Sequence, residues 1–154
     1  MGDFSYPRID ITPVWARFND DLIRLVDYVP DDKINWSPKP ELWNFRGILL
    51  HIAGARDGWL THTVHDGHDQ QIYQTVRTKE EIKTAYATTW TRLVSFLSDQ
   101  SKLDATYEDD DPEHPIISGH WIAFHLIEHD IHHRADIFHY LALLGIETPD
   151  VGTP

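Results

Sequence analysis

The chain carries eleven histidines among its 154 residues, and three of them, His125, His129 and His133, recur at intervals of four. On an α-helix that interval stacks the imidazoles one turn apart within roughly 80° of arc. Ile122, Leu126, Tyr140 and Leu144 fall on the same side, so the stripe faces a core. An imidazole alone on such a stripe is ordinarily a hydrogen-bonded core residue. A pair one turn apart, His129 and His133, can aim two nitrogens at one point and form half of a divalent-metal site. His51 lies beside Ile48, Ile52 and Ala55 on the apolar side of another helical segment, and helices packed about 8–10 Å apart bring it to the same point. Three neutral imidazoles with coordination positions left open make a catalytic type of centre, whereas a structural zinc takes four protein ligands. The expected ligands are His51, His129 and His133. His125, one turn earlier, is expected either to move a proton beside the metal or to be a hydrogen-bonded core imidazole.

Other groupings compete for the chemistry. His129-Asp130-Ile131-His132-His133 has a zincin-like spacing with Asp in place of the usual Glu, which would make Asp130 a general base, but no downstream ligand follows. His62, His65 and His68, with Asp66 and Asp69, gather at a helix end and loop, where glycine-broken spacing suits adventitious surface binding. Asp109, Asp110 and Asp111 lack the alternation of a calcium loop and read as solvated charge. No nucleophile elbow, phosphate-cradling glycine loop or basic stripe with interleaved aromatics occurs. Trp36 and Trp59 are candidates to line a pocket over the metal. The remaining tryptophans read as packing.

Four segments with a 3.6-residue apolar period must position these groups. The first runs from Pro13 to about Val29, with Val14, Phe18, Leu22, Leu25, Val26 and Val29 on one face, Thr12 as cap and Pro13 in the first turn. Residues 30–40 contain three prolines and form a connection whose Trp36 folds back onto the bundle. The second segment spans roughly Asn44 to His62, with Gly47, Gly54 and Gly58 marking places where something approaches closely. A polar loop covers 66–77. Thr78-Lys79-Glu80-Glu81 is then a capping box that opens a third helix through Leu97. An acidic loop covers 104–115, and Ser118 starts a fourth helix that reaches Leu144 and stops at Gly145, with Pro149 beyond. With no strand pattern in sight, the fold class is all-α, a four-helix bundle in a single domain over 1–154, and connections of about 10–15 residues leave the helix order open.

Composition narrows the partners. Thirteen Lys and Arg against 25 Asp and Glu give a net charge of −12, which repels phosphate backbones and anionic lipid and leaves a small, neutral or cationic partner. No nucleic acid and no membrane are expected as partners. The chain has no cysteine; disulfides, Cys-based zinc and a protein thiolate are excluded, and any thiol must arrive with the substrate. With no secretory pattern in the first 30 residues and no apolar run long enough to span a bilayer, a cytoplasmic location is expected.

Leu49-Leu50-His51-Ile52-Ala53, the earlier Ile34-Asn35-Trp36-Ser37-Pro38, and Glu128 through Ile137 followed by Leu144-Gly145-Ile146 resemble the DinB-like proteins of the DinB/YfiT superfamily over roughly 13–150. The resemblance implies an up-down-down-up four-helix bundle, commonly dimeric, that holds nickel, zinc or a similar divalent ion on His51, His129 and His133. It also implies a small-molecule substrate, since better-understood relatives transfer or isomerise low-molecular-weight thiols, while many members have no known activity. His132 belongs to the motif but points about 60° from His129 and is left out of the ligand set. Ala135-Asp136 replaces the usual Gly-Gln, a departure that bears on subfamily and substrate. A second apolar side of the fourth helix, with Phe124, Ile127, Ile131, Phe138 and Ala142, is expected to form a symmetric homodimer.

Overall fold

The computed structural model describes residues 10–109, 112–113 and 115–148. Four long helices carry the fold: α1 (Thr12–Tyr28), α2 (Phe45–Gly58), α4 (Lys79–Leu97) and α6 (Gly119–Leu143). Between them lie the short helices α3 (Ile72–Thr75) and α5 (Gln100–Asp104) and the strands β1 (Thr106–Glu108) and β2 (Ile116–Ser118). α1 packs on α4 and α6, and α2 packs on the same two, so α1 and α2 lie on a diagonal of the bundle. The expectation of an all-α bundle of the up-down-down-up type holds. No helix among the described residues is long and apolar enough to cross a membrane.

The local signals account for most boundaries. Asn44 caps α2 by accepting from the Gly47 amide at 2.8 Å, the complete capping box at Thr78 and Glu81 opens α4, and the Ser118 hydroxyl caps α6. Gly145, at φ +70°, ends α6 by entering the left-handed region that a side chain disfavours. Thr12 is not the cap of α1: it is the first helical residue, and its amide donates to the Asp10 carboxylate at 3.0 Å. After Gly58 the helix widens into a π segment, Trp59–Thr63.

The loops hold more structure than periodicity reveals. The polar loop contains α3, which drives Ile72 into the core. The acidic loop contains an antiparallel pairing with Tyr107 opposite Ile117; strands of three residues are too short to show alternation in a sequence. Asp110, Asp111 and Pro149 lie outside the described residues.

The interior is two apolar clusters with a polar layer between them. One gathers Leu22, Leu25, Val26, Phe45, Ile52, Tyr86 and Ile137, the other Trp15, Leu60, Leu93, Phe96, Ile122 and Leu126. Asn19, Arg56, Thr89 and Asp130, one from each long helix, are all buried. Arg56 donates to Asn19 Oδ1 at 2.8 Å and to Asp130 Oδ2 at 2.7 Å, and the Trp15 indole donates to the same oxygen at 2.7 Å. A layer of this kind satisfies its own polar atoms and fixes the helices in rotation and height.

Candidate metal centre

His51 comes from α2 and His129 and His133 from α6, on the side of the α2–α6 contact away from the polar layer. The Nε2 atoms of His51 and His129 are 2.8 Å apart. The ring centroids of His51 lie 4.6 Å from His129 and 4.9 Å from His133, and those of His129 and His133 lie 4.6 Å apart. Among the described residues the three rings each offer a nitrogen within 4.8 Å of the others. The expected triad is therefore brought together.

The hydrogen bonds around the triad suit a cation. His133 Nδ1 donates to Asp136 Oδ2 at 3.0 Å; a carboxylate only accepts, so the neutral ring keeps its Nε2 lone pair free. His51 Nδ1 lies 3.1 Å from the Tyr73 hydroxyl, which leaves its Nε2 toward His129. His129 Nδ1 is buried and has no hydrogen-bond partner among the described residues. Burial, and then the neighbouring His133, push the His51 pKa down to about 4, and the same causes with further help from His51 push His129 to about 3. Both rings are thus neutral near pH 7 and can offer lone pairs. Three imidazole nitrogens facing one point, two of the rings braced from behind, fit a divalent first-row ion.

Trp43 supplies a wall that the sequence did not single out. Its ring meets His51 edge to face at 4.4 Å and stacks on His133 at 5.8 Å. With Leu42, Gly47 and Tyr73 it lines a cleft of about 600 Å³ that opens on His51. A second cleft, of about 420 Å³, is lined by Trp59, Asp109, His125 and His129 and also reaches His51. His125 stacks on Trp121 at 4.8 Å and meets Trp59 edge to face at 5.4 Å. It lines the cleft beside the triad and stays outside the ligand set. Of the two tryptophans expected over the metal, Trp59 does line this cleft. Trp36 does not: it packs on Phe45 and Tyr140 away from the triad.

Asp130 cannot serve as a general base toward the triad, because its carboxylate is 1% exposed and engaged by Arg56 and Trp15. Asp109, read as solvated charge, lines the second cleft. Asp66, from the histidine-rich loop, is held by Arg92 at 2.8 Å and its carboxyl lies below the ordinary range through hydrogen bonds and charge, against an opposing effect of burial. Ile127 turns inward, 6% exposed, and Phe138 packs against the core, so the second apolar side of α6 is only partly outward. His132 is on the surface and forms a second group of potential ligands with His133 and Asp136. The residues missed by sequence reasoning are Trp43, Tyr73 and Asp136 as a brace, together with Arg56. A detectable signal existed for Arg56, a charge four residues after Ile52 on an otherwise apolar face.

The profile of the DinB family matches residues 1–154. A DinB-like protein from Bacillus subtilis has a solved structure similar to this chain at a TM-score of 0.70 and 16% identity, covering 92% of this chain and 95% of that one. One from Bacillus cereus is similar at 0.71 and 16%, covering 91% and 94%. At such identity the likeness establishes the fold. No curated protein matches the chain.

Proposed function

The chain belongs to the DinB family, and from that premise we propose that it holds one divalent ion, zinc or nickel, on His51, His129 and His133 and transfers a low-molecular-weight thiol. The convergence of three imidazole nitrogens from two helices carries the reading. When bound, such an ion acts as a Lewis acid that lowers the pKa of a thiol within its reach. The absence of cysteine requires that the sulfur belong to the substrate. Asp136 holds His133 in the tautomer that presents Nε2. His125, on the wall of the cleft, is assigned to accept the thiol proton, and Trp59 and Trp43 wall the two approaches.

Elemental analysis of the wild type against His129→Ala and His133→Ala tests the centre: about one ion per chain is expected in the wild type, with loss in both variants. Unchanged metal content in the variants would remove the site. A screen of thiols with electrophiles, on metal-loaded and metal-stripped protein, then tests the activity. Turnover that needs metal supports the transferase; metal-dependent stability without turnover leaves a non-catalytic metal-binding bundle.

We also propose a cytoplasmic location, which suits a cysteine-free chain that works on thiols, and a symmetric homodimer through the outward face of α6. Phe124 is 66% exposed and Ile131 41% on that face, more apolar surface than a lone helix comfortably leaves in water. Light scattering at micromolar concentration is expected to give twice the chain mass. A monomeric mass would overturn the dimer.

A further inference from the structure

Tyr73 lies in the short helix α3, outside the four long helices, yet its hydroxyl lies 3.1 Å from Nδ1 of His51. Its backbone is fixed by a dense local framework. Ile72, next to it, is 2% exposed in the core. Gln71 enters α3 from the left-handed region at φ +48°, and the Thr75 hydroxyl donates to Gln70 and Gln71 carbonyls at 2.9 and 3.2 Å. Arg77 donates to the Tyr73 carbonyl at 3.0 Å, and Arg46 of α2 donates to the Arg77 carbonyl at 2.6 Å. The phenol is therefore carried to one place on α2 by a loop anchored at both ends.

That place is Gly54. A Cβ on Gly54 would stand 2.5 Å from Tyr73 Cζ and 2.6 Å from the hydroxyl oxygen. Gly58, one turn later on the same helix, has no heavy atom within 4 Å of such a Cβ. A glycine in mid-helix has lower helix propensity than alanine, and at Gly54 the structure shows what occupies the space. The phenol crosses the bare helix backbone and ends at the ring one turn earlier.

We propose that Tyr73 is a positioning residue for His51: its hydroxyl accepts a hydrogen bond from Nδ1–H, so that Nε2 presents its lone pair to the metal centre, and Gly54 is bare to let the phenol reach. This rests on the metal-binding reading above. It gives His51 the outer partner that Asp136 gives His133, and the two rings are braced from opposite ends of the triad. Partners of this kind set ring orientation and tautomer, and losing one typically costs about 10- to 100-fold in metal affinity.

The test compares wild type with Tyr73→Phe, Gly54→Ala and the double variant. Zinc affinity is measured by competition with a chromogenic chelator, and the His51 tautomer by nitrogen-15 NMR of the ring, with and without zinc. Tyr73→Phe is expected to weaken zinc binding about 10-fold or more while leaving the unfolding temperature of the metal-stripped protein close to wild type, since Tyr73 is half exposed. Gly54→Ala pushes the outer end of a flexible side chain aside and is expected to weaken zinc similarly. In that background Tyr73→Phe should add no further loss, because the hydroxyl has already left His51. The Nδ1 signal of His51 should shift in every variant. Equal zinc affinity in Tyr73→Phe, or a further full loss on adding it to Gly54→Ala, would overturn the role. Should the wild type bind no zinc, the metal reading fails; the His51 signal of the metal-free protein still decides the contact, and a signal indifferent to the hydroxyl would overturn that too.

Discussion

The Arg56 guanidinium and the Asp130 carboxylate form an ion pair at 2.7 Å in which the side chains are 0% and 1% exposed, and Asp130 directly follows the ligand His129. The contact bolts α2 to α6 at one height and rotation. Because His129 precedes Asp130 by one residue and His51 precedes Arg56 by five, the same contact that buries the charges turns the imidazoles to the open side. Removing one partner leaves the other charge buried and uncompensated. Asp130→Ala is therefore expected to cost about 3–5 kcal/mol, whereas Arg56→Met with Asp130→Leu should cost much less. Urea unfolding of metal-stripped protein reads both, and an unchanged midpoint for Asp130→Ala would show that water reaches the pair.

Acid should destabilise the metal-stripped protein well above the pH at which carboxylates titrate. His51 and His129 are held at about 4 and about 3 when folded, against an ordinary 6.5. Between those values the unfolded chain takes up protons that the folded chain refuses, so stability is complete above about 6.5 and falls as pH drops toward 4. Asp66, held below its ordinary value, loses its contribution only at lower pH. Thermal unfolding between about pH 7 and 5 should show a falling midpoint in the wild type and a shallower fall in His129→Leu. Parallel slopes would place the proton uptake elsewhere.

Gly119 and Gly58 should respond oppositely to alanine. A Cβ on Gly119 would come within 2.2 Å of the Lys102 carbonyl oxygen and 2.8 Å of Leu103 Cα. These are backbone atoms and cannot swing aside. Gly119→Ala must part α5 from α6 and strain the hydrogen bond that the Gly119 amide donates to the Ala105 carbonyl, at a cost of about 1–3 kcal/mol. Gly58→Ala meets nothing and should stabilise by up to about 1 kcal/mol through helix propensity. Unfolding midpoints that move together would contradict the assignment.

The triad was legible because four-residue spacing and apolar neighbours survive in a bare sequence: His129 and His133 share a stripe with Leu126, and His51 shares one with Ile48 and Ile52. The capping box at Thr78 was equally plain. What stayed hidden depends on contacts between distant segments. The zincin-like spacing around Asp130 raised a catalytic base, while its real partner, Arg56, lies 74 residues away. Tyr73 sat in a polar loop with no period to flag it. The glycines of α2 announced a close approach, and only Gly54 has one from a distant segment, which no pattern within the helix could distinguish from Gly58.

Zinc should stabilise the folded chain in a way that identifies its ligands. Binding to the folded state alone at a hundred times the dissociation constant adds about 2.7 kcal/mol, and for a chain of this size each kcal/mol raises the unfolding temperature by about 2–4 °C. The wild type should therefore gain several degrees on titration. His51→Ala, His129→Ala and His133→Ala should lose the gain, because a two-imidazole remnant binds far more weakly. His125→Ala should keep it, since His125 lines the cleft without joining the ligand set. His132→Ala should keep it as well, which separates the triad from the overlapping surface group of His132, His133 and Asp136. A gain that survives His51→Ala and vanishes in His132→Ala would move the ion to that outer group, leaving the facing nitrogens of His51 and His129 joined by a single shared proton.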